Sequence, residues 1–139
     1  MIEILVLESN SDFCLGLRQV YKNHPNIHIA GEASNGAELS MFLAGTPADL
    51  VLTGIARDDD MGVVDVVRKI SKEYPAMKIL AVASGDSERL VYTLMKNGMN
   101  GFIGKREVSR HRLEKAIRQV AAGKEYIGKS VYYPVDSSQ

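Results

Sequence analysis

The amino-acid sequence predicts an α/β domain, a doubly wound parallel sheet of five strands with helices on both faces. Two observations carry that expectation. Short apolar runs alternate with stretches of helical periodicity about five times along the 139 residues, as repeated strand-helix units do. One of these runs, Leu50, Val51 and Leu52, shows no period-two polarity and is bounded by breakers, the pattern of a strand buried on both faces of a parallel sheet.

In chain order, residues 2–7 are the first strand, ending in the polar loop Glu8, Ser9, Asn10 and Ser11. Phe13, Leu17, Val20 and Tyr21 then recur at helical spacing, and His24 with Pro25 closes that helix. Residues 27–32 are a shorter, more polar strand, placed nearer an edge. Asn35 with Glu38 three residues on has the form of a capping box, opening a helix through Leu43 that Gly45 and Pro47 end. The central strand stops at Gly54 and drops into the acidic loop Arg57, Asp58, Asp59, Asp60, Met61. Valines at 63, 64, 66 and 67 favour strand by propensity, but Arg68, Lys69 and Ile70 continue a helical face, so residues 63–72 are read as helix, stopped before Pro75.

Residues 78–83 are a fourth buried strand, and Asp86 caps a helix over 87–97 with Gly98 at its left-handed stop. Residues 101–104 are a short last strand. Ser109 caps the final helix, whose core stripe is Leu113, Ala116, Ile117, Val120 and Ala121, and Gly123 ends it. Five such strands give a flavodoxin-like sheet in the order 2-1-3-4-5. Residues 1–123 are the domain; 124–139, without periodicity and with Pro134, read as a linker or tail.

Composition narrows the function classes. Hydrophobic residues at 45% and charged ones at 24% suit one soluble domain. Lys+Arg and Asp+Glu both total 17, so the basic excess of a nucleic-acid grip is missing, and this segment alone is not expected to hold DNA or RNA. The single cysteine, Cys14, allows no internal disulfide and reads as a buried apolar filler in a cytoplasmic protein. The apolar start MIEILVL is too short to span a membrane and lacks a basic leader. His24, His28 and His111 sit at spacings that suggest no metal site and are read as surface residues.

Several stretches carry a resemblance. NHPNIHIAGEASNGAEL, the ungapped YPAMKILAVASGDSERLVYTLMKNGMNGFIGK, Gly36, Lys105 and the closing AIRQVAAGKEYI together resemble the receiver domain of bacterial two-component response regulators. The resemblance is to the CheY-like receivers of the NarL/FixJ branch, which precede a LuxR-type helix-turn-helix, and covers about residues 2–128. It implies a phosphoryl switch: an aspartate ending strand three attacks a phosphoryl group, magnesium held by carboxylates neutralises the charge, and a hydroxyl and a lysine after strands four and five hold the transferred oxygens.

Laid on this sequence, the resemblance puts the nucleophile on Gly54, which can form no acyl phosphate. The acidic pair falls on Glu8 and Ser9, the hydroxyl on Ala83 with Ser84 beside it, the aromatic on Phe102 and the lysine on Lys105. Left without its anion, Lys105 is expected to pair with Glu8 or Asp58, since a buried unpaired ammonium is costly. These residues read as a structural remnant, a vestige or a remodelled ligand site. A magnesium site from Glu8 and Asp58 is disfavoured, because three consecutive carboxylates on a loop cannot all face one ion. No metal or other cofactor is therefore expected.

On the final helix Arg110, Arg112, Lys115 and Arg118 face outward against a single Glu114, forming either a solvated face or an interaction surface. The expectation is a non-enzymatic pseudo-receiver: the regulatory, homodimerising module of a LuxR-type transcription regulator, acting without aspartyl phosphate, with a DNA-binding output domain and a histidine kinase or other regulator as partners. The alternatives are a stand-alone interaction module and a small-molecule or flavin binder on the same fold.

Overall fold

The computed structural model describes residues 1–55, 61–83 and 88–128. The elements run β1 (Ile2–Leu7), α1 (Ser11–Tyr21), β2 (Ile27–Ala33), α2 (Gly36–Gly45), β3 (Leu50–Ile55), α3 (Met61–Glu73), β4 (Lys78–Ala83), α4 (Glu88–Lys96), β5 (Gly101–Gly104), α5 (Arg110–Ala121) and β6 (Tyr126–Ile127). All the strands are parallel, in the order β2-β1-β3-β4-β5-β6. The predicted order 2-1-3-4-5 is therefore present, with one strand more than expected. The extra strand comes from the stretch read as a tail: Gly128 N–H donates to the Phe102 carbonyl at 2.8 Å. Two residues carry no periodicity, so nothing local announced the strand.

The sheet is buried on both faces because its strands are apolar on both. From β1 and β3, Leu5, Leu7 and Val51 pack with Leu39, Val64, Val67 and Leu94 of α2, α3 and α4. Ile4, Val6 and Leu52 point the other way, onto Cys14, Leu17, Leu113 and Ile117 of α1 and α5. Each such side chain taken fully out of water contributes roughly 1.5–3 kcal/mol. The same burial overrides the strand propensity of the α3 valines: Val64, Val67 and Ile70 form one buried helical stripe. β2 lies at the edge as expected but is seven residues long rather than short.

The helix signals work through their side chains. Asn35 Oδ1 accepts Glu38 N–H at 2.9 Å, and Glu38 Oε1 reaches back to accept Ser34 N–H at 2.7 Å. Ser109 Oγ accepts Arg112 N–H at 3.1 Å. Gly98, with φ of +116°, sits beyond α4 in backbone that other residues rarely adopt. Asp86, expected to cap α4, lies outside the described residues.

Candidate functional site at the strand ends

The carboxyl ends of β1 and β3 meet because the two strands are adjacent and in register, with Leu7 beside Thr53. The next residues along, Glu8 and Gly54, therefore face each other at the sheet edge where α/β proteins place their chemistry. A groove of about 310 Å³ opens there, lined among others by Glu8, Ser9, Asn35, Thr53, Gly54 and Val66. Thr53 is 2% exposed, and its hydroxyl has no hydrogen-bond partner among the described residues.

Glu8 is turned into this region. A Cβ built on Gly54 would overlap Glu8 Oε1 and lie 2.6 Å from the carboxyl carbon, so the carboxylate fills the space that a side chain at 54 would need. Glu8 Oε2 accepts Asn10 N–H at 2.8 Å. Asn10 in turn caps α1, its Oδ1 accepting Asp12 N–H at 2.9 Å and Phe13 N–H at 3.1 Å. The Cys14 thiol, buried as expected, donates to the Glu8 carbonyl at 3.7 Å. Burial pushes that thiol up from its ordinary value, with the carboxylates of Glu32 and Glu8 adding to the effect.

Lys105 follows β5 directly, but the expected Glu8–Lys105 pair does not form. Lys105 is exposed, enters no ion pair among the described residues, and lies with Nζ 5.6 Å from the centre of the Phe13 ring. The premise fails because the ammonium stays in water and suffers no burial cost. Its other expected partner, Asp58, lies outside the described residues, as does Ser84. Ala83 is 3% exposed and pairs with Gly104 across β4 and β5, offering no hydroxyl. Phe102 is buried at 1% exposure against the α3 and α4 side of the sheet.

The resemblance implies magnesium, and the described donors do not fit it. Among the described residues no three His, Cys, Asp or Glu side chains gather in a way that would hold a metal. Among the described residues the Glu8 carboxylate after β1 already accepts a backbone N–H and packs against Gly54, and Ser9 adds only a hydroxyl.

On α5 the four cationic residues are exposed as expected. Their acidic neighbour pairs with one of them and reaches across to the end of α1. Glu114 Oε1 accepts from His24 Nε2 at 3.0 Å and Oε2 from Arg118 at 2.6 Å, tying α5 to the end of α1. His24 was expected at the surface, yet its side chain is 8% exposed. Its Nδ1 accepts Asn26 N–H at 3.0 Å and Ile27 N–H at 3.1 Å, which places the ring proton on Nε2. Tyr21 stacks edge-on against it at 5.6 Å, with its hydroxyl pushed up to about 12 by burial. His28 is exposed and meets Glu3 at 2.6 Å; His111 is exposed.

Residues 4–118 match the family of the response regulator receiver domain. The chain belongs to that family. This receiver is 25% identical over 130 residues to the transcriptional regulatory protein DegU of Brevibacillus brevis, covering 94% of the chain and 54% of the relative. It is 24% identical over 139 residues to the response regulator UvrY of Escherichia coli K12, covering 100% of the chain and 63% of the relative. The receiver thus spans less than two-thirds of either relative. Its fold matches the isolated receiver domain of RcsB from Salmonella enterica serovar Typhimurium in the apo form, with a TM-score of 0.82 at 15% identity over 94% of this chain and 95% of that one. A LuxR family DNA-binding response regulator from Silicibacter pomeroyi gives 0.78 at 16% identity over 94% and 99%. The receiver accordingly shares the fold of these solved response-regulator structures, and none of the helices among its described residues is long and apolar enough to cross a membrane.

Proposed function

We propose that this receiver works without an aspartyl phosphate, as the regulatory and dimerising module of a transcription regulator whose DNA-binding domain lies elsewhere in a longer protein. The observation that carries the reading is Gly54 at the end of β3: a glycine offers no carboxylate for a phosphoryl group, and the space beside it holds Glu8. The surroundings agree. Ser9 leaves the acidic pair one carboxylate short, and Ala83 supplies no hydroxyl for the transferred oxygens. Two parts of the switch are kept in name only, with Lys105 in solvent over Phe13 and Phe102 locked in the core.

Information then enters by contact rather than by covalent chemistry, a partner or second copy favouring one arrangement by its differential affinity. The exposed cationic face of α5, formed by Arg110, Arg112, Lys115 and Arg118, is the proposed interaction surface. Glu114 is taken up by His24 and Arg118, and the exposed cationic side chains of that face suit acidic residues of a second copy or an output domain. A histidine kinase, if it binds at all, binds without phosphoryl transfer to this domain.

The test is to incubate the protein with a small phosphodonor and magnesium, following intact mass and oligomeric state by sedimentation. The expected result is neither stable phosphoryl uptake nor a change in assembly. Uptake on Asp58, Asp59 or Asp60 that alters dimerisation would overturn the reading.

A further inference from the structure

Glu8 and Gly54 are packed as a reciprocal pair. The strands β1 and β3 lie side by side at the usual spacing of about 4.8 Å, so a side chain at the end of one reaches the backbone of the other only where no Cβ stands in the way. The Glu8 carboxylate takes that opening, with its carboxyl carbon 2.6 Å from where the Cβ of residue 54 would be. Lys105, the residue after β5, does not draw it away: it is exposed and enters no ion pair among the described residues.

The second oxygen points to the start of α1, where it accepts Asn10 N–H at 2.8 Å; a negative charge is favoured at a helix start. The same Asn10 fixes the amides of Asp12 and Phe13, and Phe13 carries the Lys105 ammonium over its ring at 5.6 Å. One side chain just after β1 thus links the open position on β3, the cap of α1 and the residue that follows β5.

We propose that Glu8 is the resident carboxylate of this site: it fills from β1 the space at the end of β3 and, through Asn10, holds the start of α1 in one arrangement. This deepens the phosphate-independent reading and rests on it for its meaning in signalling, since a site whose carboxylate is built in presents a constant face to partners. The glutamate's extra methylene over an aspartate supplies the reach, and the glycine supplies the room. A side chain placed at 54 must evict Glu8 and strip Asn10 N–H of its acceptor.

Gly54→Ala tests this, because it adds bulk without adding a charge or an acceptor. Amide hydrogen exchange followed by NMR should show the Asn10 amide exchanging roughly tenfold faster or more, the scale set by losing one hydrogen bond to a charged group. Glu8→Ala should produce the same acceleration, and the double variant no more than either single, because both remove one bond. Glu8→Gln, which retains an acceptor of the same length, should keep Asn10 near its wild-type protection and so separates the local effect from general destabilisation. An Asn10 amide still protected in Gly54→Ala, or effects that multiply in the double variant, would overturn the role assigned to Glu8 while leaving the phosphodonor result untouched. Phosphoryl uptake by the wild type would overturn the signalling reading and leave this exchange pattern in place.

Discussion

Single residues at the strand ends decide what chemistry the domain is capable of, and the decisive ones are small. Gly54 removes a nucleophile and admits the Glu8 carboxylate, and Ser9 and Ala83 withhold a metal ligand and a hydroxyl. Gly54→Asp alone is therefore expected to give no magnesium-dependent response, measured as phosphoryl uptake with the change in oligomeric state. The new carboxylate collides with Glu8, and two of its supporting groups are still missing. A robust response in that single variant would show that neighbouring side chains make up for both losses. Thr53, next to Gly54, buries a hydroxyl that has no partner among the described residues.

Among the elements, the tie between α1 and α5 is the one that only side-chain geometry reveals. Glu114 receives the Arg118 guanidinium and the His24 ring, and its carboxyl is held below the usual carboxylate range, first by the Arg118 hydrogen bond and then by that of His24, with burial opposing both. A carboxyl depressed in the folded state contributes stability that is present above its unfolded value, about 4.3, and lost as pH falls through the folded one. The stability difference between the protein and Glu114→Gln should thus be largest near neutral pH and shrink below about pH 4.3, as read from denaturant midpoints across pH. A constant difference over that range would mean that the carboxylate charge contributes nothing. The caps, by contrast, act on their own helices: Asn10, Asn35 and Ser109 each accept amides of the first turn, as residues of their type do wherever a helix opens.

At the scale of the molecule, six parallel strands carry α1 and α5 on one face and α2, α3 and α4 on the other. The sixth strand covers the edge of β5 next to Phe102, so the chain leaves the sheet from that edge rather than from the end of α5. Removing the residues after Gly123 takes away the backbone hydrogen bonds from Lys124, Tyr126 and Gly128 to Gln119, Asn100 and Phe102 and should cost about 1.5–4.5 kcal/mol, checked by thermal or denaturant unfolding. Unchanged stability would mean that β6 adds nothing to the sheet. What the sequence determined by itself was the fold, the order of its first five strands and the Asn35 and Ser109 caps, because periodicity, breakers and capping patterns are properties of a few neighbouring residues. It also showed that position 54 has no carboxylate. Only the tertiary structure decided where charges go: Glu8 turns to Gly54 instead of Lys105, His24 is buried against Glu114 ninety positions on, and residues 126 and 127 join the sheet. The physical reason is that a side chain's partner depends on which space its neighbours leave open, and those neighbours come from distant parts of the chain.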